Sequence, residues 1–240
     1  MVWTEKMRVS AHDIDLNGNV RPSLIVRYMQ EAANQQLHNL GPSNEDLRKS
    51  GKAFILCRVG VNNPIPLHAY DEITVETWAC PSKLTSFTRC ARIKRGDELV
   101  AEMMTVWALV DLNDRRLCRV EELSLNFDTE EPLELPFPIR FRLPKEPALT
   151  KVSQRHIGYG DCDLNRHMNN TNYPDMLASS IDGIENKRVE SFVISYIHEA
   201  PYDKDVSILM GSDGNDYFFS TQNEDGSVGV EARFTVSQNE

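Results

Sequence analysis

The chain has 240 residues, of which 40% are hydrophobic and 26% are charged, and its formal net charge is −10. This is ordinary globular composition, and the length suits one large domain or two smaller ones. The negative charge argues against nucleic acid as a partner, because that affinity comes largely from neutralising phosphates. No apolar run approaches the roughly 18 residues of a membrane span.

The N-terminal segment and the cysteines indicate a cellular compartment. The segment MVWTEKMRVS lacks the apolar core of a signal peptide. The cysteines are odd in number and scattered, without a C-x-x-C pair: Cys57, Cys80, Cys90, Cys118 and Cys162. This pattern favours reduced thiols over a disulfide framework, so we expect a cytoplasmic protein.

The first half is predicted to contain a strand, a helix and then four strands. The strand-like segment KMRVSAH comes first. Pro22 suits the first turn of a helix and Gly41 its end. Apolar residues at three- and four-residue spacing mark a broad buried face: Leu24, Ile25, Tyr28, Met29, Ala32, Ala33, Leu37 and Leu40. The strands are predicted at 54–62, 71–80, 84–95 and 98–111.

Residues 128–151 contain five prolines and predict an extended connector. A second strand-like segment, SQRHIGYG, follows. The second helix is less clear: Tyr173, Met176, Leu177 and Ile181 keep the spacing, and Gly183 ends it. Strands are predicted at 189–199, 204–211, 215–222 and 227–237.

A polar stretch occurs twice, as DIDLNGNVR from Asp13 and as DCDLNRHMN from Asp161, at a constant offset of 148 residues. Each copy stands between a strand-like segment and a helix. We therefore predict two copies of one unit, at 1–128 and 150–240, with a linker at 129–149. A helix followed by an antiparallel meander implies an α+β fold with a curved sheet on that helix, and two such units can form one continuous sheet.

The second copy carries a recognisable motif. A strand, then D-x-D-x-N-x-H-x-N-N-x-x-Y, then a helix resembles the signature of hot-dog-fold thioesterases. Two such units in tandem, with the motif in the second, resemble the acyl-acyl carrier protein thioesterases of bacteria and plants. The resemblance covers nearly the whole chain and implies a double hot-dog, each unit wrapping a curved antiparallel sheet around one central helix.

The resemblance also implies catalytic residues. The family's aspartate, asparagine and histidine fall on Asp163, Asn165 and His167, and its glutamate falls on Glu199 in FVISYIHEAP. Plant members usually have a cysteine after this glutamate, where this chain has Ala200. The implied mechanism is therefore water activated by Glu199. A positioned carboxylate is a suitable general base, and histidine titrates near neutrality.

Substrate contacts are predicted from both units. Backbone N–H groups at the start of the helix after Asn169 suit a developing oxyanion, which assigns Asn169 and Asn170 to substrate binding. In the resembled family the first unit contributes much of the acyl tunnel. We accordingly assign Tyr28, Met29 and Ala32 to acyl binding, although core packing explains that apolar face equally well.

The implied function is hydrolysis of acyl-acyl carrier protein to free fatty acid, which terminates fatty acid synthesis. An acyl-CoA thioesterase is the nearest alternative; a hot-dog dehydratase and a non-catalytic acyl-binding module are more distant. The implied partner is the acyl carrier protein, with a homodimer possible and no cofactor or metal. Two basic sets are candidates for docking the carrier: Arg89, Arg92, Lys94 and Arg95, and Arg115, Arg116 and Arg119.

Other interpretations of the motif are weaker. An EF-hand needs a bidentate glutamate at loop position 12, where the copies have Leu24 and Asn172. Cys162 is flanked by Asp161 and Asp163, whose negative charge disfavours a nucleophilic thiolate. A polar turn that caps a helix is also consistent with the composition. The first copy has Asn19 in place of His167, so one catalytic site per chain is expected.

Overall fold

The structure, a computed structural model, describes residues 1–239. The first half contains β1 (Trp3–Arg8), α1 (Pro22–Leu40), α2 (Asn44–Lys49), β2 (Lys52–Asn62), β3 (Glu72–Ala79), β4 (Ser86–Arg95), β5 (Glu98–Asp111) and β6 (Arg116–Leu117). The second contains β7 (Thr150–His156), α3 (Tyr173–Ala178), β8 (Lys187–Tyr196), β9 (Asp205–Asp213), β10 (Asp216–Asn223) and β11 (Val228–Gln238).

The strands form one antiparallel sheet in the order β1-β3-β4-β5-β2-β8-β11-β10-β9-β7, with β6 paired to β5. The halves join where β2 pairs with β8, from Arg58 opposite Ser195 to Asn62 opposite Ser191. The predicted α+β double hot-dog fold is confirmed, including the continuous sheet. The unit boundaries at 1–128 and 150–240 stay a prediction.

Helix α1 follows its apolar pattern. Pro22 lies in the first turn, and Gly41 at the C-terminal end has a φ of 75° and donates its N–H to Leu37 O. The left-handed region is open to glycine at little cost, so the helix ends there. Ile25, Val26 and Met29 are at most 1% exposed and pack in the main core.

Helix α3 is shorter than predicted. It ends at Ala178, and the N–H groups of Ser180 and Ile181 bond to carbonyls three residues back rather than continuing the helix. Pro174 lies in the first turn, where its missing N–H costs nothing. Gly183 has a φ of 70° and lies beyond this turn. Ile181 is still buried, because the tightened turn keeps it against the core.

The segment after β6 runs along the outer face of the sheet. Glu130 donates its N–H to Ala79 O, and the Trp78 indole donates to Glu131 O. A Cβ on Gly60 of β2 would lie 3.0 Å from the Leu135 side chain, so the segment passes close to the centre of the sheet. Within residues 1–239, no helix has the length and apolar character needed to cross a membrane.

Candidate active site

The motif loop of the second half is held by its own backbone. Asp163 N–H donates to His167 O at 3.1 Å, and Arg166 N–H donates to Asp163 O at 3.0 Å. The Asp163 carboxylate accepts from Asn165 N–H at 2.8 Å. Arg166 has a φ of 66°, so this turn needs one residue in the left-handed region.

The first half repeats this loop bond for bond. Asp15 N–H donates to Asn19 O and Gly18 N–H donates to Asp15 O, while the Asp15 carboxylate accepts from Asn17 N–H. Gly18 has a φ of 81° at the position equivalent to Arg166. The sequence repeat is thus a repeat of loop geometry, and the two copies differ in their side chains.

The four predicted catalytic residues come together in the second copy. His167 Nε2 lies 3.4 Å from Glu199 Oε1, and His167 Nδ1 lies 4.0 Å from Asp163 Oδ1. Asn165 Nδ2 donates to Asp163 Oδ2 at 3.3 Å. These separations are longer than ordinary hydrogen bonds, so the side chains are close neighbours within the cluster. The Glu199 side chain is 64% exposed, so water can reach its carboxylate.

Glu199 lies three residues after the end of a strand, rather than in the strand itself. Strand β8 ends at Tyr196, not at the predicted residue 199, because Ile197 and His198 both donate their N–H groups to Gly229 O. Two donors on one acceptor interrupt the ladder, as in a β-bulge. Met168 N–H then donates to Ala200 O at 2.9 Å, which ties the segment after Glu199 to the motif loop.

Two other side chains of this region lie outside the cluster. His198 Nδ1 is 2.8 Å from Val228 O. Lys204 contacts Glu224 at 3.1 Å. The nearest basic side chain to the Glu199 carboxylate is that of His167.

A groove of about 540 Å³ opens beside Asn165. Its walls come from α1, α2 and strands β2 to β5 of the first half, with Leu164 and Asn165 supplied by the motif loop. Just over half of the wall residues are apolar: Ala33, Leu37, Leu47, Ala53, Phe54, Ala79, Phe87, Met103, Trp107, Leu125 and Leu164. Such a cleft has the size and character of a site for an extended apolar ligand.

The acyl-binding assignments on α1 need correction. Met29 and Ala32 are fully buried in the core, and neither lines the groove. Tyr28 donates its hydroxyl to Asp13 Oδ2 at 2.6 Å, and burial, with the bond to Asp13, raises its pKa. The residues of α1 that line the groove lie on an adjacent face of the helix, three or four positions apart: Gln30, Ala33, Asn34 and Leu37.

The prediction that the backbone N–H groups after Asn169 are unpaired is also wrong. The chain enters α3 through a 3₁₀ turn, Asn170–Asn172. Within it, Thr171 N–H donates to Asn169 Oδ1 and Asn172 N–H donates to Asn169 O, while Asn169 N–H donates to Asp161 O. Among these four groups, that of Asn170 is the one without an acceptor in residues 1–239. The Asn170 carbonyl accepts from the Tyr196 hydroxyl.

Two arginines of the first half hold the motif loop, and sequence reasoning missed both. Arg48 of α2 donates from Nη2 to Asn165 Oδ1 at 3.0 Å. Arg27 of α1 donates from Nε to Thr171 Oγ1 at 3.0 Å and also contacts Asn172. The capping pair Ser43 and Asp46 signals the start of α2. No local signal places Arg48 against a residue more than a hundred positions away.

Cys162 has the environment of an unreactive thiol. Burial, then the charges of Asp161 and Asp163, raise its pKa above the usual range. A raised pKa lowers the thiolate fraction at neutral pH. Among residues 1–239, no group of three or more His, Cys, Asp and Glu side chains is arranged to hold a metal ion.

Sequence comparison places the whole fold in a known group. Residues 1–126 match the acyl-ACP thioesterase N-terminal domain, and residues 145–237 match the acyl-ACP thioesterase C-terminal domain. The chain belongs to the acyl-ACP thioesterase family. The resemblance noted from the motif is confirmed.

Individual members of the acyl-ACP thioesterase family are distant in sequence. Oleoyl-acyl carrier protein thioesterase 2, chloroplastic, of Arabidopsis thaliana is 25% identical over 236 residues, covering 88% of this chain. The chain spans 63% of the length of that curated relative.

Solved structures of family members share the fold. An acyl-ACP thioesterase of Bacteroides thetaiotaomicron superposes with a TM-score of 0.88 at 18% identity, covering 98% of each chain. The 12:0-ACP thioesterase of Umbellularia californica gives 0.78 at 17% identity, covering 99% of this chain and 97% of its own.

Proposed function

We propose that this protein hydrolyses the thioester of acyl-acyl carrier protein and releases free fatty acid, terminating fatty acid synthesis. Family membership supports the reaction class. One observation carries the proposal: His167 lies between the carboxylates of Asp163 and Glu199, beside the point where the groove opens at Asn165.

The proposed reaction uses water as the nucleophile. The acyl chain lies in the groove, with the thioester carbon near Asn165. The Glu199 carboxylate accepts a proton from water as the oxygen attacks that carbon. The Asn170 N–H is available to stabilise the oxyanion. Collapse of the tetrahedral intermediate breaks the C–S bond, and the departing sulfur takes the proton back from Glu199.

The other residues of the cluster orient this base. Asp163 faces one nitrogen of His167 and Glu199 faces the other, so the imidazole lies between the two carboxylates. Asn165 bonds to Asp163 and to Arg48, which holds the loop at the groove mouth. Ala200 follows Glu199, so no cysteine at that position competes as nucleophile.

The acyl carrier protein is the proposed partner. Of the first basic set, Arg92 and Lys94 contact Glu76 and Arg95 contacts Asp71. These acids offset the positive potential of the first set, whose fourth member, Arg89, lines the groove instead. In the second set Arg116 is likewise paired with Glu122, so Arg115 and Arg119 are the favoured contacts for an acidic carrier. A cytoplasmic location and a homodimer belong to the same proposal, and sedimentation of the purified protein tests the dimer.

A substrate panel tests the function. Purified protein is offered acyl-carrier and acyl-CoA thioesters of matched chains, and released thiol is followed with time. We expect the higher kcat/KM on carrier thioesters. Faster turnover of CoA esters would instead assign the alternative thioesterase function. No thiol from either, with acyl binding retained, would assign a binding module, and a change in alkene absorbance without thiol would assign a dehydratase.

A further inference from the structure

Arg89 brings a positive charge into the largely apolar groove. It lies on β4, and its side chain lines the same cavity as Phe87, Met103 and Trp107. A charge beside apolar surface is costly unless it is paired or hydrogen-bonded. Burial lowers the pKa of Arg89 to about 10, so the guanidinium is still protonated at neutral pH. It forms no ion pair with a carboxylate of residues 1–239.

The guanidinium is fixed by neutral partners on one side. Its Nη1 donates to Gln36 Oε1 at 2.7 Å and to Thr77 Oγ1 at 3.2 Å. Gln36 and Thr77 are both fully buried, so they hold the guanidinium in one position. The remaining nitrogens, Nε and Nη2, donate to no group in the part of the chain that the structure describes. They are therefore available to a ligand in the groove.

A second donor of the groove also lacks an acceptor. Gln30 lines the cavity six residues before Gln36 on α1, but its Nε2 is buried from solvent and has no acceptor among residues 1–239. The donors that a groove ligand can reach are therefore those of Arg89. An acceptor oxygen satisfies them.

We propose that Arg89 forms a polar subsite in the acyl groove that binds a hydroxyl or keto oxygen on the acyl chain of the substrate. This rests on the proposed function, because it takes the groove as the acyl site. A plain methylene chain would leave the donors unpaired, whereas an oxygenated chain accepts from them. Sites built to bond a polar group discriminate strongly against the analogue that lacks it.

Matched substrates test the subsite. Acyl-carrier thioesters of one chain length are prepared without a substituent and with a hydroxyl at successive positions along the chain. We expect at least one hydroxylated chain to exceed the plain chain in kcat/KM by roughly tenfold or more, the range for a bond to a charged group. In Arg89→Met this ratio should fall to about one.

The control variant is Arg92→Met. Arg92 lies on the same strand, but its guanidinium stacks on Trp78 at 4.8 Å and contacts Glu76, away from the groove. It should keep the wild-type ratio. If Arg89→Met does not fold, Arg89→Gln provides a second variant, which removes the charge and should also reduce the preference.

Binding separates this inference from the proposed function. Calorimetry with free hydroxylated and plain fatty acids measures the subsite even if no thioester is hydrolysed. Tighter binding of a hydroxylated acid, lost in Arg89→Met, supports the subsite. Equal affinity and equal kcat/KM for plain and all hydroxylated chains in the wild type would overturn it, as would a preference that Arg89→Met leaves intact.

Discussion

At the scale of single residues, two differences between the halves remove the catalytic side chains from the first. Asn19 stands where the second copy has His167; it is 4% exposed and bonds to Asn239. Val20 N–H donates to Leu67 O as Met168 N–H donates to Ala200 O, so Pro66 occupies the position of Glu199. The first copy therefore has neither the imidazole nor the carboxylate, which supports one catalytic site per chain.

The left-handed position of the loop gives a stability prediction. Gly18→Ala should lower the free energy of unfolding by about 1–2 kcal/mol, because a side chain at positive φ is strained even though the space around Gly18 is open. Urea unfolding measures the change. Gly160→Ala is the control, since its surroundings are equally open and its φ is not positive. Equal effects of the two changes would contradict the strain.

Cys162 should be dispensable. Cys162→Ser is expected to keep wild-type kcat, and alkylation of Cys162 should be slow at pH 7 and accelerate only well into the alkaline range. The reason is the pKa raised by burial and by the two flanking aspartates, which keeps the thiol protonated at neutral pH. Mass spectrometry of the alkylated protein follows the rate. Loss of turnover in a folded Cys162→Ser would assign the thiol a role in the reaction.

At the scale of elements, helices of the first half organise a loop of the second. Arg48 on the short α2 and Arg27 on α1 both donate to side chains of the motif segment. The hydrogen bonds from Arg48 to Asn165 and from Asn165 to Asp163 lead directly to the His167 cluster. We infer that α2 positions the loop without contacting the reacting atoms.

Removing this contact should affect turnover more than binding. Arg48→Met is expected to reduce kcat about tenfold, because one hydrogen bond that orients Asn165 is lost, while KM changes little. Steady-state kinetics on the acyl-carrier substrate gives both constants. Lys49→Met on the same helix, which breaks only the exposed pair with Glu45, should behave as wild type. A pure KM effect in Arg48→Met would mean that Arg48 binds substrate instead.

The elements themselves could largely be predicted from the sequence. The apolar spacing of α1 and its Pro22 and Gly41 signals determine both ends, and strands β2 to β5 fall within two residues of the predicted ranges. The residues of α1 that face the groove could not be predicted, because apolar periodicity marks core residues and groove residues alike. The end of β8 depends on a shared acceptor in β11, which is a tertiary event.

At the scale of the whole molecule, the two halves share one sheet and both contribute to the groove. The sheet continues from β2 into β8, and the groove of the first half opens at the motif of the second. The duplicated motif predicts two similar units, and family resemblance predicts that Glu199 meets His167. Neither the duplicated motif nor the resemblance indicates which residues line the groove, because the lining depends on how the two units pack together.

The continuous sheet should make unfolding cooperative. All three tryptophans, Trp3, Trp78 and Trp107, lie in the first half, so their fluorescence reports that half alone. Far-ultraviolet circular dichroism reports both halves. In urea the two signals should give a single coincident transition. Separate midpoints would show that the halves unfold independently and that the β2–β8 pairing adds little to stability.

The most direct test of the account is the turnover of Glu199→Gln on acyl-acyl carrier protein. The amide keeps the size of the side chain but cannot accept the proton of water. We expect a loss of about 10²–10⁴-fold in kcat with little change in KM, since the acyl chain binds in the groove. Wild-type turnover by the folded variant would contradict it and would assign the base to His167 or Asp163.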